Sequence, residues 1–188
     1  MRMGFLCIAA LLLAGCSNEI HVYSDTDPDY DLWSYKTFNW GPTLDSEQDK
    51  NPLRYNEFND KRIKTATDEQ LRQLGYRIDS DHPDLILHYH IVVEDQATIA
   101  LEPYGYFYGP FWMRMHTNVY PYREGTLIID MMDAKTNNLV WRGWAVSAIE
   151  DHYTPAEVDH LIKSAVSRIF RKFPTRAAKA GAKEIVSN

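Results

Sequence analysis

The chain has 188 residues, 45% of them hydrophobic and 24% charged, with 20 Lys and Arg against 26 Asp and Glu. That balance fits one domain with a core of its own. It excludes a collagen, a long disordered chain, a coiled coil and a protein of many membrane spans. A net charge of −6 speaks against a general nucleic-acid binder, and two cysteines, neither in a zinc-binding spacing, cannot build a disulfide scaffold.

Residues 1–15 read as an address. Arg2 supplies a positive start, and Phe5 to Leu13 form an uncharged apolar run too short to span a bilayer as a mature helix. The run ends in Leu13-Ala14-Gly15-Cys16, which resembles the bacterial lipobox. That resemblance implies cleavage before Cys16, a diacylglyceryl group on its thiol and an acyl chain on its new amine. Several acyl chains anchor far more firmly than one, at about 0.8 kcal/mol per buried methylene. The covalent lipid on Cys16 is then the only cofactor expected. Ser17, in place of an Asp, implies by resemblance to enterobacterial sorting rules the periplasmic side of the outer membrane in a Gram-negative bacterium. The single domain is expected over residues 16–188.

Ile20-His21-Val22-Tyr23 predicts a short strand, followed by a turn through the Asp- and Pro-rich stretch 25–31. Tyr35 to Trp40 alternates and predicts a second strand. Asn56 to Leu74 predicts a helix with Ile63, Ala66, Thr67, Leu71 and Leu74 on one face, and Gly75 sits where it would end. Tyr76-Arg77-Ile78 then returns toward the sheet. From Asp84 to Asp95 the clearest strand turns Leu85, Leu87, Tyr89, Ile91 and Val93 to one side, and Ile86, His88, His90, Val92 and Glu94 to the other. Residues 103–122 are rich in Gly, Pro and Tyr and read as a loop joining two strands.

A hairpin over 122–132 and 139–150 follows, its turn made by Asp133 to Asn138. Alternation there turns Trp141 toward the helices and Trp144 away. Thr154-Pro155-Ala156-Glu157 is a capping box with Pro at the first helical position. Val158, Leu161, Ile162, Ala165, Val166, Ile169, Phe170 and Phe173 then mark one helix face up to Pro174. Residues from 175 read as a polar tail. The order β-β-α-β-β-β-α predicts an α+β two-layer sandwich: a mostly antiparallel sheet of about five strands with both helices on one face.

The segments 35–40, 84–90, 125–130 and 139–145, followed by the helix ending in Phe173-Pro174, come in an order that resembles the bacterial lipoproteins grouped as domain of unknown function 4136. The similarity runs from Val22 to Pro174. It implies an envelope location and this α+β fold, and it carries no established catalytic residues.

His88 and His90, two apart on one strand, share a face and could place two imidazoles on one metal, with Glu94 along the same row and His82 or His116 within reach only if loops fold over. The plainer reading is decoration of the less buried sheet face. Asp25, Asp27, Asp29 and Asp31 have calcium-loop spacing, but Tyr30 stands where that loop needs Gly and Lys36 where it needs Glu. No nucleophile elbow, phosphate loop or zinc-protease motif is present. Seven Lys and Arg from Lys163 onward face one acid, Glu184, a basic end that suits the helix dipole.

Tyr104, Tyr106, Phe107, Tyr108, Phe111 and Trp112 sit among Gly and Pro. They form either a contact surface for another molecule or a cover over the sheet face of His88 and His90. The expectation is a non-catalytic binding or structural protein, bound to the membrane through its lipid and meeting an envelope protein or polymer, with no nucleic-acid partner. The alternative is a metal-dependent or other periplasmic enzyme centred on His88 and His90.

Overall fold

A computed structural model describes residues 19–42, 56–104, 114–150 and 152–174. Its elements are β1 (Ile20–Thr26), β2 (Thr37–Trp40), α1 (Glu57–Gln73), β3 (Arg77–Ile78), β4 (Leu85–Tyr104), β5 (Arg114–Asp133), β6 (Leu139–Ile149) and α2 (Pro155–Phe170). The strands form one sheet in the order β1-β6-β5-β4-β2-β3. Both helices lie on one side of it, so the α+β sandwich stands. The sheet has six strands rather than five, because the two residues of β3 pair with β2. Pairing is antiparallel from β1 through β4, while β2 runs parallel to both β3 and β4.

Local chemistry explains the helix limits. Asn56 caps α1 by accepting from the Phe58 amide, and Gly75, at φ +92, lets the chain leave without a Cβ penalty. Thr154 and Glu157 form the reciprocal capping box on α2, with Pro155 beginning the helix. The helix stops at Phe170, earlier than its apolar stripe suggests; a tighter turn then carries Phe173 back into the core.

Odd-numbered residues of β4 face the helices: Leu85 and Leu87 are fully buried, and the Tyr89 hydroxyl donates to Asp60 of α1 at 2.9 Å. Trp141 faces the same way, its ring 5.5 Å from that of Phe170 and 5.3 Å from that of Phe173. Trp144 lies on the opposite face, stacked on Tyr23 at 5.5 Å. Leu139, expected in register with Trp141, is exposed instead, because a bulge at Met131/Met132 breaks the alternation at the hairpin's end.

The expected loop over 103–122 is largely strand. β4 runs on to Tyr104 and β5 starts at Arg114, with Pro103 paired to Met115 and Pro121 to Ala97. Past Asp95 and Arg123 the sheet narrows to β4 and β5 alone, since β6 ends at Ile149 opposite Arg123. Every strand of a two-stranded ribbon is an edge, where proline is tolerated. Residues 105–113 lie outside the described residues, as do residues 1–15 and those from 175.

The aspartate row after β1 is spent on local turns. Asp25 is itself in β1; Asp27 accepts from the Asp29 amide at 2.9 Å, and Asp31 caps a short turn by accepting from the Trp33 amide at 3.2 Å. Asp84 closes a longer connection, accepting from the backbone N–H groups of Lys36 at 2.8 Å and Thr37 at 3.0 Å.

The Lys36 hydrogen bond, aided by those from Thr37 and opposed by partial burial, holds the Asp84 carboxyl below its usual pKa. The unfolded carboxyl titrates near ~3.9. Below that pH the unfolded chain takes up a proton that the folded one refuses, so stability falls until the pH has passed below the folded pKa. Asp84→Asn is expected to flatten the decline of the urea midpoint below about pH 4. An unchanged slope would assign the acid sensitivity elsewhere.

Candidate binding surface

The side of the sheet opposite the helices has no described helix over it. One cross-strand row there reads Tyr23, Trp144, Ile128, His90, and the next reads Asp25, Arg142, Asp130, His88. Side chains directly opposite one another in an antiparallel pair touch, so each row is a continuous strip across four strands. Tyr23 is 50% exposed and Val92, in the row beyond, 36%. The strip is therefore aromatic and aliphatic, half covered by its own neighbours, and bounded by charge.

The charge is an ion pair. Asp130 is 4% exposed, and both its carboxylate oxygens accept from Arg142, Oδ1 from Nε at 2.6 Å and Oδ2 from Nη2 at 2.7 Å. This bidentate geometry is the strong form of such a contact. The bonded carboxylate raises the Arg142 guanidinium above its ordinary pKa, partial burial opposing. His90 approaches the same carboxylate, Nε2 to Oδ2, at 3.8 Å. His88 lies over Gly41, whose missing side chain makes room for it: a Cβ there would stand 2.2 Å from the imidazole Cε1.

His88 and His90 thus share the helix-free face as the alternation requires, but their surroundings differ. One is seated on Gly41 and the other points to Asp130. Among the described residues no three His, Cys, Asp or Glu side chains are grouped to hold a metal ion. Tyr104 ends β4; Tyr106, Phe107, Tyr108, Phe111 and Trp112 fall outside the described residues, as do Cys16 and Ser17. The Asp130–Arg142 pair and the Gly41 seat were not anticipated. Opposite charges flanking a hairpin turn were the available signal.

Residues 22–175 match a protein family described as "Domain of unknown function (DUF4136)". The chain belongs to that family. No curated protein matches this DUF4136 domain. Among solved structures it is similar to a PDZ domain protein from Parabacteroides distasonis, at a TM-score of 0.52 and 15% identity over 84% of this chain and 37% of that one. The chain therefore spans little more than a third of that protein, and the likeness is one of fold. It also resembles a dodecamer of a PelC variant from Paraburkholderia phytofirmans, with a TM-score of 0.48 and 10% identity, covering 84% of this chain and 99% of that one. A homologue of a neuraminyllactose-binding hemagglutinin from Helicobacter pylori aligns at a TM-score of 0.41 and 13% identity, over 82% of this chain and 90% of that one.

In the DUF4136 domain, Arg142→Ala is expected to destabilise by about 1–3 kcal/mol, since it leaves the Asp130 carboxylate short of its charged donors. The Arg142 side chain is 43% exposed, so water replaces part of what is lost. The cost would appear as a lowered urea midpoint. An unchanged midpoint would mean that the pair contributes no net stability.

Proposed function

We propose that this protein is a lipid-anchored component of the bacterial envelope, held by Cys16 at the periplasmic face of the outer membrane, and that it works by binding another envelope protein or polymer without catalysis. The observation that carries the reading is the β4–β5 ribbon. It continues past the last pair shared with β6 by nine residues on each strand, from Gln96 to Tyr104 and from Arg114 to Tyr122. At about 3.4 Å per residue that is an arm of ~30 Å, and Tyr104 and Arg114 are its last described pair.

In the sequence, Tyr106 to Trp112 falls between Tyr104 and Arg114, the last described pair of the arm. Tyr104 stands fourteen positions along β4 from His90, about 48 Å of strand. Nine residues that leave from and return to one paired couple reach back only ~16 Å. This separation supports a contact surface over a cover for the histidine face. Aromatic side chains are also the ones that dominate contact surfaces when they are buried by a partner.

Replacing residues 105–113 by Asn-Gly, which suits a two-residue hairpin turn, tests the reading. The melting temperature should stay within about 2 °C of the parent, a shift worth about 0.5–1 kcal/mol at this chain length. Photo-crosslinking in intact envelopes should lose the adducts that the parent forms. A variant that retains those adducts would overturn the assignment of the arm, and a large fall in melting temperature would make the segment part of the core.

A further inference from the structure

We propose that one of the acyl chains carried by Cys16 occupies the half-open apolar cavity between the sheet and α2. This rests on the lipid-anchor reading of Cys16 given above. The cavity has a volume of about 190 Å³. Its origin is visible in the residue sizes. In the cross-strand rows Val93–Gly125–Ser147–Ile20 and Ile91–Leu127–Ala145–Val22, the central strands contribute Gly125, Ser147 and Ala145, which make a low floor. Val158, Ile162 and Ala165 of α2 form the roof.

The other end of the same layer is built differently. There Trp33, Tyr76, Trp141, Phe170 and Phe173 form a cluster of rings that fills the space. One end of the sandwich is packed solid and the other is left hollow.

Apolar cavities of ~150 Å³ stay dry and take up guests the size of benzene, so this one is large enough to hold a hydrocarbon. Its α2 wall runs from Val158 to Ala165, seven residues or about 10 Å along the helix axis. The cavity shares Asn59, Tyr153 and Val158 with a surface groove of about 350 Å³, so a chain can enter from outside. Phe58, 72% exposed, stands beside that groove.

Two observations identify the source of the chain as the protein's own anchor. Ile20 is itself in the cavity wall, and Cys16 is four residues before it, at most ~14 Å of extended backbone. Tethering at that range amounts to a millimolar local concentration. The second observation is charge. Glu150 lines the cavity, and Arg62 in the groove is engaged by Asn59 at 2.7 Å and by Asp159 at 3.8 Å. An anionic lipid headgroup or a fatty-acid carboxylate would meet Glu150, and Arg62, which lines the groove, is already engaged. Acyl groups linked through glycerol to a thioether, or through an amide, bring no charge.

The test feeds cells a diazirine-bearing fatty acid, irradiates intact cells and maps the adducts in the purified full-length protein by mass spectrometry. Label on the Cys16 peptide reports lipidation independently of its position. With that label present, adducts within 158–165 or 91–93 are expected, and they should fall at least fivefold in Ala165→Leu and in Ser147→Leu. Both variants fill the hollow and should melt no more than a few degrees from the parent; if one misfolds, the other carries the comparison. Labelled Cys16 with adducts to membrane lipids alone, or adducts undiminished in the folded variants, would overturn the proposal and leave the anchor standing. Absence of label from Cys16 would overturn both.

Discussion

Trp141→Ala is expected to destabilise the domain by about 3–5 kcal/mol, the range for emptying a large aromatic site in a packed interior. Trp141 is 1% exposed and lies in the middle of a ring cluster, in contact with Phe170 and Phe173. Its bed is fitted to it. A Cβ on Gly143 would stand 2.4 Å from the indole and 2.5 Å from Ile169, so strand and helix approach as closely as glycine allows. Backbone held that tightly on both sides cannot collapse into the vacated space. Trp144→Ala, on the other face and stacked on Tyr23, should cost about 1 kcal/mol. Urea titrations of the two variants would give midpoints that differ severalfold in displacement; equal displacements would mean that the helix-free face is as much a core as the covered one.

Cys16→Ala should remove the protein from the membrane fraction completely while leaving the domain folded. Every described element begins at or after Ile20, so no described strand or helix contains residue 16. Retention, in the proposed reading, depends on acyl chains whose free energy grows by about 0.8 kcal/mol with each methylene. Labelled palmitate and density fractionation read the outcome directly. Ser17→Asp should keep the label and move the protein to the inner membrane. Palmitate persisting on Cys16→Ala, or an unaltered fractionation of both variants, would refute the anchor.

Where one residue's chemistry acts on its neighbours, the sequence was readable. Asn56 and Gly75 bracket α1, Thr154 to Glu157 start α2, and strict alternation placed Leu85 to Val93 and the two tryptophans on their correct faces. Structure that depends on distant partners was not. Nothing in Thr37 to Trp40 reveals that its neighbours are parallel, and Arg77–Ile78 is too short for any period to register. The ribbon was misread because Pro103 and Pro121 signal a break in a sheet interior but not at an edge. Asp130 and Arg142 illustrate a subtler loss. Counting outward from the Asp133–Asn138 turn sets Asp130 against Trp141; the bulge at Met131/Met132 moves the register by one and delivers Arg142 instead.

The place of β1 at the sheet's edge sets a timetable for folding. Its partner is β6, with Ile20 paired to Ser147, so the first strand of the chain finds its ladder only after almost everything else has arrived. Contacts between such distant positions are slow to form, because a long loop must close before any hydrogen bond rewards it. A chain emerging N-terminus first on one side of a membrane would hold β1 unpaired throughout its passage and close the sheet last. In the proposed lipid-anchored reading, the N-terminus would be open to attachment while β1 was still unpaired.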